Sequence, residues 1–222
     1  MALQNKKLLY CDNKIIVLDN KSNKKIYSSF NNIDSKDIPE NIKSYIDSDV
    51  FNLIPSALFD KTKIDSYLKL TSNNLSNRIF LSNKINKIDC NIIWAIDNQV
   101  RDNIIKTSSG TSLYSMLHLF IDNENLSNEN VISLNFTQDT LYSLCYSKDK
   151  LILANRFKLT GDADAIYYTL FCLEHSKLEN SEVKIKVKGK YKESFIEQLS
   201  DYFPIENIRK SDTSSYYSLF CE

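Results

Sequence analysis

Glycine is nearly absent. Gly110, Gly161 and Gly189 are the three glycines in a chain of 222 residues, where average composition would supply about 15. Loops that wrap a phosphate in backbone N–H groups need glycine for close approach and for positive φ. The chain has almost no material for such loops. Histidine is scarcer still, with His118 and His175 alone. The five cysteines, Cys11, Cys90, Cys145, Cys172 and Cys221, are scattered and form no C-x-x-C pair. Zinc needs clustered thiolates or imidazoles, so no metal site is expected. An odd, dispersed set of this kind reads as buried free thiols in a reducing compartment.

Net charge is absent as well. Lys+Arg and Asp+Glu are both 28, so no global field draws nucleic acid or an anionic membrane. The apolar runs are only a few residues long, too short for a helix that spans a bilayer. The opening MALQNKKLLY has no apolar signal core, and the expected location is the cytoplasm. No G-x-S-x-G or Cys/His pattern surrounds either histidine. His175, near the end of a predicted helix, reads as a capping residue. A hydrophobic share of 42% is enough for a real core, which excludes wholesale disorder.

What is present is pattern. Residues 131–137, 140–146 and 150–159 read as three strands between polar turns, and they feed a strongly periodic helix over 162–177. That helix is expected to start with Asp162 at its N-cap. It is expected to bury Ala163, Ile166, Tyr167, Leu170, Phe171 and Leu178. A strand over 183–188, a helix over 191–202 and a strand over 205–208 follow. The first part of the chain repeats this order. Strands are expected over 8–11, 14–18 and 24–30, a helix over 35–45, a strand over 50–54 and a helix over 61–70. Strands over 78–82 and 91–96 and helices over 97–107 and 111–121 complete it. The most polar stretch, 122–130, is the candidate boundary, giving domains 1–127 and 128–222.

Residues 8–70 and 131–202 thus share strand, strand, strand, helix, strand, helix. A meander followed by βα crossovers makes a mixed five-stranded sheet with helices packed on it. This is the ribonuclease-H-like topology. Two copies in tandem give an α/β fold on the plan of the actin-like ATPases.

Particular residues resemble a known family. Leu53-Ile54-Pro55-Ser56-Ala57-Leu58-Phe59, followed by Tyr67-Leu68, is similar to the L-[IV]-P-x-x-L-F … Y-L segment of bacterial domain-of-unknown-function family 3822, found mainly in Bacteroidetes. Leu151 to Phe157, then Tyr167-Tyr168, resembles that family's L-x-x-x-N-x-F … D-x-x-Y-Y block. The resemblance implies an actin-like fold with no established activity.

In actin-like ATPases an aspartate in the first hairpin of each half handles the metal, and glycines there receive the phosphate. The matching turns hold Asp12 and Asp139 but no glycine, and Asp and Asn are ordinary hairpin residues. A two-metal nuclease is excluded, because the first strands carry no carboxylate. Lys184, Lys186 and Lys188 alternate with Val183, Ile185 and Val187 on a strand that should be central. This row is either a solvated face or a docking surface for an acidic partner or an anion. Replacing all three lysines with serine is expected to leave folding nearly intact. The apolar run with Tyr216, Tyr217 and Phe220 either joins the protein's own sheet or anchors a partner.

The sequence therefore reads as a non-catalytic actin-like module that binds an unidentified protein. It implies no cofactor and no membrane span, and nucleic-acid binding has only the local lysine row behind it. The alternative is a divergent nucleotide-binding ATPase or kinase working in an interdomain cleft, with ATP and Mg²⁺ at Asp12 and Asp139. Oligomeric state is not legible.

Overall fold

Short apolar runs between polar turns become strands along most of the chain. A computed structural model describes residues 6–18, 24–34, 37–38, 41–72, 75–180 and 182–211. Its contacts divide into two units, Met1–Asp122 and Asn123–Glu222.

In the first unit β1 (Lys7–Cys11), β2 (Lys14–Leu18) and β3 (Lys24–Tyr27) form an antiparallel meander. β4 (Lys43–Ile46) lies parallel to β1. The chain then leaves this sheet and builds another from β5 (Phe51–Pro55), β6 (Arg78–Ile85) and β7 (Cys90–Asp97), with α1 (Ile64–Lys69) between β5 and β6. This antiparallel sheet has the order β5-β7-β6. After α2 (Asn98–Thr107), capped by the Asp97 carboxylate on the N–H groups of Gln99 and Val100, β8 (Ser112–Ser115) returns to pair with β4. The first sheet closes in the order β3-β2-β1-β4-β8, and α3 (Met116–Asp122) ends the unit.

Two clusters hold this unit. Leu8, Ile15, Val17, Ile38 and Ile42 pack on one face of the five-stranded sheet. Val50, Leu68, Ile93 and Ala95 join α1 to the three-stranded sheet.

The second unit is plainer. β9 (Val131–Phe136), β10 (Thr140–Ser147) and β11 (Lys150–Lys158) form the meander. α4 (Asp162–Ser176) crosses to β12 (Lys184–Gly189), and α5 (Glu193–Leu199) leads to β13 (Ile208–Lys210). The order β11-β10-β9-β12-β13 matches the first sheet position for position. The core lies between one sheet face and the two helices, around Ile132, Leu134, Leu141, Ile185, Val187, Phe195 and Leu199.

The duplication is present, but its first copy is threaded differently from the expected order. Tyr45, expected at the end of a helix, sits on β4. Tyr45 and Ile46 are buried on a central strand and Ile42 is buried just before it, where apolar residues crowd both faces and the spacing no longer separates helix from strand. The fourth strand is therefore β4, and residues 50–54 open the inserted sheet instead. The expected helix over 111–121 splits into β8 and α3. In the second unit the N-cap of α4 is Gly161, not Asp162. Its buried stripe includes Ala165, Ile166, Thr169 and Cys172, while Tyr167 is 63% exposed. Tyr167, expected in the core, is replaced there by its neighbour Tyr168, which packs against the cluster, and Ala163 is exposed as well.

Candidate functional site

The two first hairpins come before any other candidate, because the fold places its polar turns there. Asp12 and Asn13 form a two-residue turn closed by the pairing of Cys11 with Lys14. Their φ values are 51° and 55°. This doubly left-handed geometry is what a type I′ turn demands, and Asp and Asn tolerate it better than other side chains. In the β9–β10 hairpin the Thr137 N–H donates to the Thr140 carbonyl at 2.9 Å, and the Leu159 N–H donates to the Asp139 carbonyl at 2.8 Å. The Asp139 carboxylate pairs with the Lys158 ammonium at 3.3 Å. Asp12 and Asp139 belong to different units.

Asp139 also lines a cavity of about 300 Å³ in the second unit. It opens past the carboxyl ends of the parallel strands β9 and β12, where α/β sheets characteristically hold ligands. Phe136, Leu159, Ala165, Tyr191 and Phe195 give it an apolar lining. Phe136 and Phe195 meet edge to face at 5.0 Å. Gln138, Lys190, Lys192 and Ser194 add polar groups, and the Lys190 ammonium donates to the Gln138 side-chain oxygen Oε1 at 3.4 Å. Burial pushes the Tyr191 phenol up from its ordinary value, and its hydroxyl donates to the Ser211 carbonyl at 3.2 Å. Ammonium groups beside aromatic rings can hold a small organic anion.

The start of α4 borders the same cavity, and the donors of Thr160 and Gly161 just before it are taken by Asp164. The Asp164 carboxylate accepts from the Thr160 N–H at 2.7 Å, the Thr160 hydroxyl at 2.8 Å and the Gly161 N–H at 3.0 Å. These bonds, led by the Thr160 N–H, hold its carboxyl below the usual range. Among the described residues no three His, Cys, Asp or Glu side chains are grouped to hold a metal ion.

The lysine row lies on the face of β12 opposite the core. Lys186 and Lys188 stand beside Ser133 and Asn135 of β9, which are buried and bonded to each other at 3.3 Å. Each ammonium has a partner. Lys184 donates to the Asn207 side-chain oxygen at 2.5 Å. Lys186 reaches Glu124 at 2.5 Å and the Asn125 carbonyl at 3.3 Å. Lys188 lies 3.7 Å from the other Glu124 oxygen. Tyr216, Tyr217 and Phe220 lie outside the described residues.

Sequence reasoning stopped the row at Lys188, although the alternation runs on through Lys190 and Lys192 into the cavity. It missed Glu124 altogether. A carboxylate in a polar stretch reads as solvated, and only the fold shows it to be 2% exposed.

The family described as Protein of unknown function (DUF3822) matches residues 39–205. No curated protein sequence matches the chain. Among solved structures, a Bacteroides thetaiotaomicron protein with an actin-like ATPase fold and unknown function is similar, with a TM-score of 0.81 at 17% identity over 98% of this chain and 95% of that one. The cytoplasmic domain of EpsL, an inner membrane component of the Vibrio cholerae type II secretion system, gives a TM-score of 0.56 at 8% identity over 97% and 91%. The PilM–PilN type IV pilus biogenesis complex gives 0.58 at 8% identity over 95% and 89%. The fold is that of the actin-like ATPases, built as two tandem subdomains with a five-stranded mixed sheet in each. Among the described residues no helix is long and apolar enough to cross a membrane.

Proposed function

The chain belongs to the DUF3822 family of proteins of unknown function, and from that premise we propose that it is a non-catalytic actin-like module that works by binding another protein. One observation carries this reading. In the β9–β10 hairpin the Thr137 N–H, the Asp139 carbonyl and the Asp139 carboxylate are all engaged with other groups of the same unit. A phosphate-binding turn keeps its N–H groups aimed at the ligand and its aspartate open toward the metal. The Asp12–Asn13 turn supports the same conclusion, since its residues are those its backbone geometry calls for.

The similar folds lend support of another kind. EpsL is a component of a secretion system, and PilM is found in a complex with PilN. On this reading the duplicated frame serves as a platform for protein contacts. The turns bear on function more directly than the fold does, because a shared fold does not carry activity with it.

A second reading, a divergent nucleotide-binding ATPase or kinase, draws on the cavity where Asp139, Lys190 and Lys192 meet aromatic residues. Thermal unfolding with and without ATP and Mg²⁺ separates the two. A ligand at about 100 times its dissociation constant adds about 2.7 kcal/mol, which raises Tm by roughly 5–10 °C in a chain of this size. The module reading expects no shift at millimolar nucleotide. A rise in Tm that grows with nucleotide concentration would overturn it.

A further inference from the structure

Strand β11 is a long sheet edge with nothing beyond it among the described strands. It spans nine residues, stands last in its sheet and pairs with β10 alone. Along such a strand the N–H and C=O groups alternate in direction, so β10 takes one set and the other faces away from the sheet.

The other edges among the described strands are shorter or covered, including β5, which is five residues long and ends at Pro55. β13 is three residues long with Arg209 and Lys210, and β3 is four residues long with Lys24 and Lys25. β8 is four residues long. β6 is long, but α3 packs on it, and its Asn83 amide is tied to the Leu113 carbonyl at 3.0 Å. β11 has neither proline nor charge from Leu151 to Asn155.

Side-chain sites accompany this edge. α4 packs over β10 and β11 and turns Tyr167 outward, 63% exposed. Tyr168 stacks on Phe157 of β11 at 4.2 Å, and Phe171 stacks on His175 at 3.9 Å. Tyr167 bridges the two, 5.3 Å from Tyr168 and 6.4 Å from Phe171. On the strand itself Ile152 is 44% exposed. A strand added about 4.8 Å outside β11 would bring every second side chain against this aromatic surface. Charge points to the occupant. β11 carries Lys150, Arg156 and Lys158 and no carboxylate, and Lys158 is paired with the Asp139 carboxylate.

We infer that the outer edge of β11 docks an extended segment of another protein, which adds as a sixth strand with apolar residues at alternate positions and carboxylates at its flanks. Main-chain bonds along β11 supply affinity, and the Tyr167–Phe171 surface selects the alternate side chains. This rests on the module reading and names its surface and partner chemistry.

The test is selection from a random nonapeptide phage library on the immobilised full chain. Enriched peptides are expected to alternate apolar residues and to carry Asp or Glu. Ala154→Pro and Asn155→Pro serve as edge blocks. Neighbouring N–H groups point opposite ways, so one of the two prolines removes only an outward donor and leaves the β10 ladder intact. That folded variant should bind the peptides at least tenfold more weakly. If both prolines unfold the chain, Ile152→Glu and Tyr167→Glu take their place with the same expectation.

Failure to enrich such peptides overturns the proposal, as does undiminished binding by the edge-blocked chain. A wild-type dimer dissolved by the same substitution also overturns it, by assigning the edge to a second copy. A native partner held equally by the blocked variant removes the edge and leaves the module reading standing. A nucleotide-induced rise in Tm removes the module reading itself.

Discussion

The Lys186 ammonium meets the Glu124 carboxylate at 2.5 Å, with the Glu124 side chain 2% exposed and the Lys186 side chain 16% exposed. Lys188 approaches the same carboxylate, so one buried anion serves two cations. Buried charges of this kind persist only while paired. Glu124→Gln is therefore expected to lower the unfolding free energy by about 3 kcal/mol, by leaving two ammonium groups without a counter-charge. Replacing all three lysines with serine is expected to destabilise as well, contrary to the expectation from sequence, because it takes both ammonium partners from the buried Glu124 carboxylate. Urea unfolding followed by circular dichroism measures both. A change under about 0.5 kcal/mol, the range of an ordinary surface substitution, would contradict this account.

The Asp12–Asn13 turn holds two non-glycine residues at positive φ. Asn-Gly is the pair that type I′ geometry favours most. Asp12→Asn combined with Asn13→Gly should stabilise the chain by on the order of 0.5–1 kcal/mol, since glycine relieves the left-handed strain. The urea midpoint should rise with an unchanged slope. Were Asp12 a metal-handling residue, the same pair would instead abolish any Mg²⁺-dependent stabilisation.

The second unit was legible because each of its elements follows one pattern. β9, β10 and β11 are bounded by polar turns, and α4 has a clear helical period. The first unit was less legible for two physical reasons. A four-residue central strand such as β4, buried on both faces, has no period of its own. The excursion from β5 to α2 uses the same kinds of residues as the sheet it interrupts, so a linear reading joins its first strand to the wrong sheet. In the site, the lysine alternation was visible. Glu124 was not, because its burial is created by chain segments distant in sequence.

Four cysteines, Cys11, Cys90, Cys145 and Cys172, are free and buried. Burial pushes the Cys11 thiol up, and the Asp12 and Asp47 carboxylates push it further. The Cys145 thiol is raised by its hydrogen bond to Cys172 and by burial. Thiolate is the reactive form, so Cys11, Cys145 and Cys90, which burial also raises, should resist iodoacetamide in native buffer and label only as urea unfolds the chain, while Cys172, lowered by its hydrogen bond with Cys145, is shielded by its burial alone. Peptide mapping by mass spectrometry would locate the label. Fast native labelling at Cys11 would show that β1 opens well below the global unfolding free energy.

His118 is buried on α3, with its Nε2 2.9 Å from an Asp122 oxygen. Burial alone would raise the Asp122 carboxyl. The hydrogen bond and charge of His118 outweigh it, helped by Lys87 and Lys43, and the net direction is down. A carboxyl lowered on folding contributes stability above its unfolded value, near pH 4, and loses it as the pH falls through its folded value. Stability should therefore fall on acidification below about pH 4, and Asp122→Asn should make that acid limb shallower. Some slope must remain, because Asp37 and Asp164 are also held down, Asp37 by its hydrogen bonds from Lys25 and Tyr27. With the Asp122 side chain 46% exposed, solvent screening keeps its share modest. The His118 Nδ1 is buried without a hydrogen-bond partner among the described residues, so the ring is held through its Nε2 contact with Asp122. His118→Gln should thus preserve the bond to Asp122 and leave the acid limb near that of the wild type, whereas His118→Leu should flatten it as Asp122→Asn does. Urea midpoints between pH 2.5 and 6 would measure the limb, and equal slopes for wild type, Asp122→Asn and His118→Leu would remove this pair from the acid response.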